Sequence, residues 1–124
     1  MKEGMKRIIK SIKSKRKICI FADYDVDGAT SSALLKNVLL ELGIDTEIYV
    51  PDRIEEGYGP TSSAMQKIKD KGTKLLITVD CGSVEFEALL HASEIGLDVI
   101  VIDHHISLDK LPKAIAVINP NRID

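Results

Sequence analysis

Three of the five short apolar runs in this chain end on an acid. Residues 18–23 lead into Asp23-Tyr24-Asp25-Val26-Asp27-Gly28, residues 74–79 into Asp80-Cys81-Gly82, and residues 97–102 into Asp103-His104-His105. Each run is strand-length and apolar on both of its faces, the pattern of a strand buried inside a sheet. Residues 45–50 alternate, with Ile48 and Val50 on one side, and residues 115–118 give a fifth run. Segments of helical period separate the first four runs. Strands alternating with helices predict an α/β domain with a mainly parallel five-stranded sheet flanked by helices. In such a sheet the carboxyl ends of all strands lie on one edge, so the three acidic signatures converge in space.

Local signals set the expected boundaries. Apolar residues at 5, 8, 9 and 12 predict a helix over 2–15 with Met5, Ile8, Ile9 and Ile12 turned inward. Leu34, Leu35, Val38, Leu39 and Leu42 predict a second helix, stopped by Gly43, and Thr30, Ser31 and Ser32 are expected to open it. Pro51 ends the strand over 45–50, and 52–60 is a polar loop. Ser63 and Gln66 fit a capping box for a helix closed by Gly72. Ser83 is expected to cap a further helix, with Glu85 and Glu87 in its first turn and Gly96 at its end. The chain divides into a basic N-terminal helix (1–17) and an α/β body (18–124). It stops just after a strand with no closing helix, as if cut from something longer.

The length of 124 residues fits one domain. Its net charge of −2 hides an asymmetry: residues 1–17 hold eight Lys or Arg and one Glu (+7), leaving nine basic and eighteen acidic side chains (−9) for the rest. The basic segment is suited to a polyanion or to a solvated helix face. The apolar runs are too short to span a membrane, and no apolar h-region follows the basic start. Two cysteines, Cys19 and Cys81, make no disulfide framework and point to a reducing cytoplasm. The acidic first turn excludes a glycine-rich dinucleotide site, and neither a Walker A lysine motif nor a G-x-S-x-G elbow occurs.

Clustered carboxylates repel unless a cation neutralises them. Hard divalent cations take oxygen ligands, and Asp supplies them on a short stem, so Asp25 and Asp27 can face one centre if Gly28 lets the chain turn. The N–H groups of a helix opening at Thr30 and Ser31 could hold a phosphate. Asp80 ends a strand, and Gly82 permits a tight turn after it. In Asp103-His104-His105 a carboxylate can fix a histidine tautomer. Two adjacent histidines on an extended chain point apart, so one would ligate metal and the other meet substrate or deliver a proton. Cys81 has nothing nearby in sequence to activate it, and His91 lies mid-helix, away from any strand end.

Taken together, D-Y-D-V-D-G, D-C-G and D-H-H resemble the DHH phosphoesterase superfamily. Pro51-Asp52-Arg53, Glu56-Gly57-Tyr58-Gly59, Leu111-Pro112 and Ile118-Asn119-Pro120 resemble its branch of single-stranded-DNA-specific exonucleases. The likeness runs from Ile18 to Arg122 and implies the N-terminal part of a DHH-type domain. It implies Asp25, Asp27 and His104 as metal ligands and Asp80 as a bridge between two metals. Asp103 would support His104, His105 would face the scissile phosphate, and Asp23 would be an outer ligand or stand behind the ligands. Arg53, Thr30 and Ser31 would contact substrate. The implied reaction is Mn²⁺- or Mg²⁺-dependent hydrolysis of single-stranded DNA from the 5′ end, in recombination and repair. The superfamily's fourth metal motif, its second domain and the exonucleases' OB-type module are not in this sequence. Two other expectations follow from that: a phosphodiesterase acting on oligonucleotides or cyclic dinucleotides, and a non-catalytic remnant or interaction module.

Overall fold

A computed structural model describes residues 1–123; Asp124, the last residue of the expected 18–124 body, lies outside the described residues. The elements are α1 (Lys2–Lys13), β1 (Ile18–Ala22), α2 (Val26–Glu41), β2 (Glu47–Tyr49), α3 (Ser62–Asp70), β3 (Leu75–Val79), α4 (Phe86–Glu94), β4 (Asp98–Ile102) and β5 (Ala116–Ile118). All five strands are parallel, in the order β2-β1-β3-β4-β5. This is the expected α/β architecture.

Alternation along the strands makes two cores. Ile18, Ile20, Leu75, Ile77 and Ile100 face α1 and α2. Cys19, Phe21, Leu76, Val99 and Val101 face α3 and α4. With period two, neighbouring residues serve opposite faces, so a sheet covered on both sides needs apolar residues throughout its central strands. The chain leaves β1 by α2 on one face and returns to β3 by α3 on the other. The direction of winding therefore reverses between β1 and β3, and a crevice opens beyond their carboxyl ends.

Several local expectations are corrected. Helix α1 buries Gly4 and Ser11, with Ile8 and Ile12 packed on the sheet, while Met5 and Ile9 face solvent. The reason is close approach: a Cβ on Gly4 would sit 3.3 Å from the Ala116 side chain, so the glycine line faces the sheet. In α2 the packed line is Gly28, Ser32, Leu35 and Leu39; Leu34, Val38 and Leu42 are exposed. Thr61, not Ser63, caps α3, its hydroxyl accepting from Ala64 N at 3.1 Å. Helix α4 starts at Phe86 without a side-chain cap, because Ser83 is occupied elsewhere. Both cysteines are free and buried, and burial pushes the Cys19 thiol up to about 11 and raises Cys81 as well. Neither is a thiolate nucleophile.

Candidate metal centre

Three strand ends build the site. After β1, Asp23 is buried and its Oδ1 accepts from Tyr24 N at 2.8 Å. Asp25 is the N-cap of α2, accepting from Gly28 N at 2.9 Å. That bond holds the Asp25 carboxyl below its ordinary range. The helix thus begins at Val26, four residues before the expected Thr30. Gly28 is not a turn residue but a contact residue: a Cβ there would lie 2.2 Å from the Asp23 carbonyl oxygen. The early start also moves Thr30 and Ser31 away from the helix opening where they were expected. Their N–H groups lie inside the helix, and the Thr30 hydroxyl is spent on the Val26 and Asp27 carbonyls at 2.9 and 3.2 Å.

After β3, Asp80 takes a left-handed conformation (φ 60°), which costs a non-glycine residue about 1–2 kcal/mol. Its N–H donates to Ile102 O at 2.9 Å, and Gly82 (φ 112°) completes the turn. A side chain on Gly82 would strike Thr78 Oγ1 at 2.7 Å. The turn points the Asp80 carboxylate into the crevice, where it is 5% exposed. His104 Nε2 lies 2.7 Å from Asp80 Oδ1, an ion pair when the imidazole is protonated, and no backbone N–H reaches either Asp80 oxygen. Burial first, and the Asp25 carboxylate second, raise the Asp80 carboxyl; His104 offsets this in part.

After β4 the chain coils at once, so strand alternation does not apply to the histidine pair. The two rings lie side by side, centroids 4.6 Å apart, rather than pointing apart. Asp103 also departs from expectation. Its Oδ1 accepts from His105 Nδ1 at 2.7 Å and from the backbone N–H groups of His104 (2.8 Å) and His105 (3.2 Å). It therefore fixes the ring of His105, and of His104 only the backbone. With Nδ1 donating to Asp103, His105 Nε2 is left as the free nitrogen. Burial alone would raise Asp103, but hydrogen bonds from His105 and Ser83 outweigh it and hold the carboxyl low; that same bond raises His105.

One ligand-capable atom from each of Asp80, His104 and His105 lies within 4.8 Å of the others, and the same holds for Asp23, Asp25 and Asp80. Asp80 belongs to both groups. Asp27 stands outside them, its Oδ2 3.9 Å from His104 Nε2. A cleft of about 380 Å³ opens beside them, lined by Asp27, Ser31, Asp80, Ile102, Asp103 and His104. The donor set is carboxylate oxygen and imidazole nitrogen, which suits Mn²⁺ or Mg²⁺.

Arg53 pairs with neither Glu55 nor Glu56; its guanidinium stacks over the Tyr24 ring at 5.1 Å, and Tyr58 meets Tyr24 edge-on at 6.4 Å. Glu56 anchors that loop instead, taking the Tyr49 hydroxyl at 2.5 Å and Lys67 Nζ at 2.8 Å. His91 sits on α4, 3.3 Å from Gln66, remote from the cluster as expected.

Sequence reasoning missed the residues that hold the histidine loop. Asn119, beyond β5, donates to Ser83 Oγ and to His105 O, both at 2.9 Å, and Asn121 donates to His104 O. Ser83 N in turn donates to Asp103 Oδ2 at 3.1 Å. The only sequence trace of this clamp is Asn119-Pro120-Asn121 directly after a strand.

Residues 17–124 match the family model for the DHH family, N-terminal domain. The single-stranded-DNA-specific exonuclease RecJ of Bacillus subtilis (strain 168) is 42% identical over 122 residues, covering 98% of this chain and 16% of the relative. That of Escherichia coli (strain K12) is 41% identical over 109 residues, covering 87% of this chain and 19% of the relative. A crystal structure of exonuclease RecJ bound to manganese superposes with a TM-score of 0.82 at 34% identity, over 91% of this chain and 29% of that one. RecJ from Thermus thermophilus in complex with Mn²⁺ gives 0.72 at 29% identity, over 91% of this chain and 16% of that one. The chain thus spans about a fifth or less of the length of such curated relatives.

Proposed function

Because this chain belongs to the DHH family, we propose that it forms the metal-bearing N-terminal part of a RecJ-like exonuclease, which hydrolyses single-stranded DNA from the 5′ end. The observation that carries this reading is Asp80. It is a buried carboxylate that faces the Asp25 carboxylate and meets the His104 ring, shared between an all-carboxylate group and a carboxylate–histidine group. A buried anion crowded by a second carboxylate is costly unless a cation meets it, and an acid shared by two ligand groups is placed to bridge two ions.

In this reading Asp23, Asp25 and Asp80 would hold one ion and Asp80, His104 and His105 the other, with Asp27 closing on the His104 side. Divalent ions there would supply Lewis acidity and a water acidic enough to act at neutral pH. The protein's own groups do the rest. Asp103 presents His105 through its Nε2, so this ring is set either to ligate or to face the scissile phosphate. Arg53, held over the Tyr24 ring, can pair with phosphate oxygens as substrate enters the cleft. Ser31 lines that cleft, whereas Thr30 does not enter it.

Single-stranded DNA is the substrate, Mn²⁺ or Mg²⁺ the cofactor, DNA recombination and repair the process, and the cytoplasm the compartment. The relatives' names support the substrate, the manganese-bound neighbour supports the cofactor, and two cysteines without a disulfide fit a reducing compartment. Among the described residues no helix is long and apolar enough to cross a membrane. The test is Mn²⁺-dependent release of nucleotides from 5′-phosphorylated single-stranded DNA, with Asp80→Asn as control. Release that disappears in the variant is expected. Release that persists in the variant, or a folded wild-type chain that releases nothing, would contradict the claim that these residues carry the chemistry.

A further inference from the structure

The basic charge of α1 is sorted by face. At 100° per residue, Lys2, Lys6, Lys10 and Lys13 fall within about 80° of arc, centred opposite the buried Gly4, Ile8 and Ser11 side. All four are exposed. One other cation of the helix is built into the fold. Arg7 Nε meets Asp98 Oδ2 at 2.6 Å, and its guanidinium also donates to the Ser11 hydroxyl and to Lys74 O. The four lysines are not committed in this way. Lys6 pairs with Glu3 at 3.1 Å, but both side chains are more than 60% exposed and the pair is worth little. Among the described residues Lys2, Lys10 and Lys13 form no ion pair.

This row is also rigid. Gly4 lets the helix rest on Ala116 and Ile100, and Ile8 and Ile12 are packed into the core. The ammonium groups therefore project as a ladder whose rungs rise by about 6 Å where they are four residues apart and about 4.5 Å from Lys10 to Lys13, spanning about 16 Å from first to last. That repeat is of the order of the spacing between phosphates on an extended single strand. Residues 18–124 carry −9, so phosphates are repelled there and drawn here. The apolar residues that would insert into a lipid surface are mostly committed to the sheet; only Met5 and Ile9 flank the ladder.

We propose that the Lys2–Lys6–Lys10–Lys13 face of α1 is a second nucleic-acid contact, binding the backbone of a single strand without sequence preference, apart from the metal centre. The helix lies across a face of the sheet and ends beside the amino ends of the strands, whereas the acids crowd the carboxyl edge. The choice of a nucleic acid as ligand rests on the exonuclease reading, but the site does not use its metal.

The proposal is tested by fluorescence anisotropy of labelled oligothymidine against the full chain, in EDTA, as potassium chloride is raised. Four ladder contacts contribute about −2.8 to the slope of log affinity against log salt, so a fourfold rise in salt costs about 50-fold through the ladder alone. Replacing all four lysines by Gln is expected to remove that contribution. Lys10→Gln with Lys13→Gln is expected to remove half of it, and circular dichroism checks that each variant is folded. An unchanged slope in either folded variant would overturn the proposal. So would ladder-dependent binding to phosphatidylserine vesicles without binding to oligothymidine, or ladder-dependent binding to duplex DNA alone. Failure of Mn²⁺-dependent hydrolysis with this salt response intact would sink the exonuclease reading and leave the ladder standing.

Discussion

The two edges of one sheet treat acids in opposite ways. At the amino edge the two acids that open strands each meet a cation of the chain. Glu47, which opens β2, pairs with Lys71 at 3.0 Å and Lys17 at 3.5 Å, and Asp98, which opens β4, pairs with Arg7 at 2.6 Å. At the carboxyl edge the acids meet one another and the histidines: Asp80 faces Asp25 and His104, and Asp103 faces His105. The amino edge is electrostatically closed by the chain itself. The carboxyl edge is left with an anionic excess that burial makes expensive, and its backbone takes a strained angle at Asp80 to achieve it. An acid cluster that the fold does not neutralise is a place prepared for something outside the fold.

Substitutions at each edge should separate these two behaviours. The largest effect is expected from Gly28→Ala. Its Cβ cannot coexist with the Asp23 carbonyl at 2.2 Å, so α2 must shift away from β1, at a cost of about 3 kcal/mol. Because Asp25 caps that helix, Mn²⁺ affinity should fall with it. Urea unfolding and metal titration of one preparation read both losses, and a variant as stable as the wild type would break the packing argument. At the amino edge Arg7→Met should cost about 1–2 kcal/mol, by stripping a partly buried charged hydrogen bond from Asp98 and the partner of buried Ser11. It should leave Mn²⁺ affinity unchanged; a parallel loss of metal binding would mean that the edges are coupled.

A smaller and more diagnostic effect is pH dependence without metal. Asp80 is raised above its ordinary 3.8, so its charge penalises the fold at neutral pH and the penalty is relieved as pH falls through the folded value. His105 is raised above 6.5, so its contribution is full below that value and is lost as pH rises through the folded one. The lowered Asp25 and Asp103 act only near and below 3.8. Stability in EDTA should therefore increase from pH 8 to about pH 5, the reverse of a chain whose acids are all salt-bridged. Asp80→Asn should remove the part of the rise that comes from that carboxyl and leave the part due to His105, and chemical denaturation as a function of pH measures both.

The strands, their parallel sheet and the meeting of Asp23, Asp25, Asp80, Asp103 and the histidines were all legible from the sequence. Apolar runs ending in acids fix strand, edge and chemistry together. What escaped was of three kinds. The start of α2 was misplaced because Asp25-Val26-Asp27-Gly28 has the composition of a turn, and only the carbonyl of Asp23 reveals why a glycine sits there. The inward face of α1 was assigned correctly for Ile8 and Ile12 and wrongly for Met5 and Ile9, because hydrophobic spacing marks large residues, while Gly4 and Ser11 decide which side can approach the sheet. The Ser83–Asn119–Asn121 clamp joins residues as far as 36 positions apart, and no local pattern announces such a bond.

The most direct test is calorimetric titration of Mn²⁺ into the wild-type chain and into Asp80→Asn, with melting followed in EDTA and in Mn²⁺. Mn²⁺ should bind the wild type and stabilise it, by about 2.7 kcal/mol when present at a hundred times its dissociation constant. The variant should bind none yet be at least as stable as the wild type in EDTA, since it has lost a buried charge crowded by the Asp25 carboxylate. Equal Mn²⁺ binding by both chains would contradict the claim that the shared carboxylate of Asp80 is the centre of a metal site.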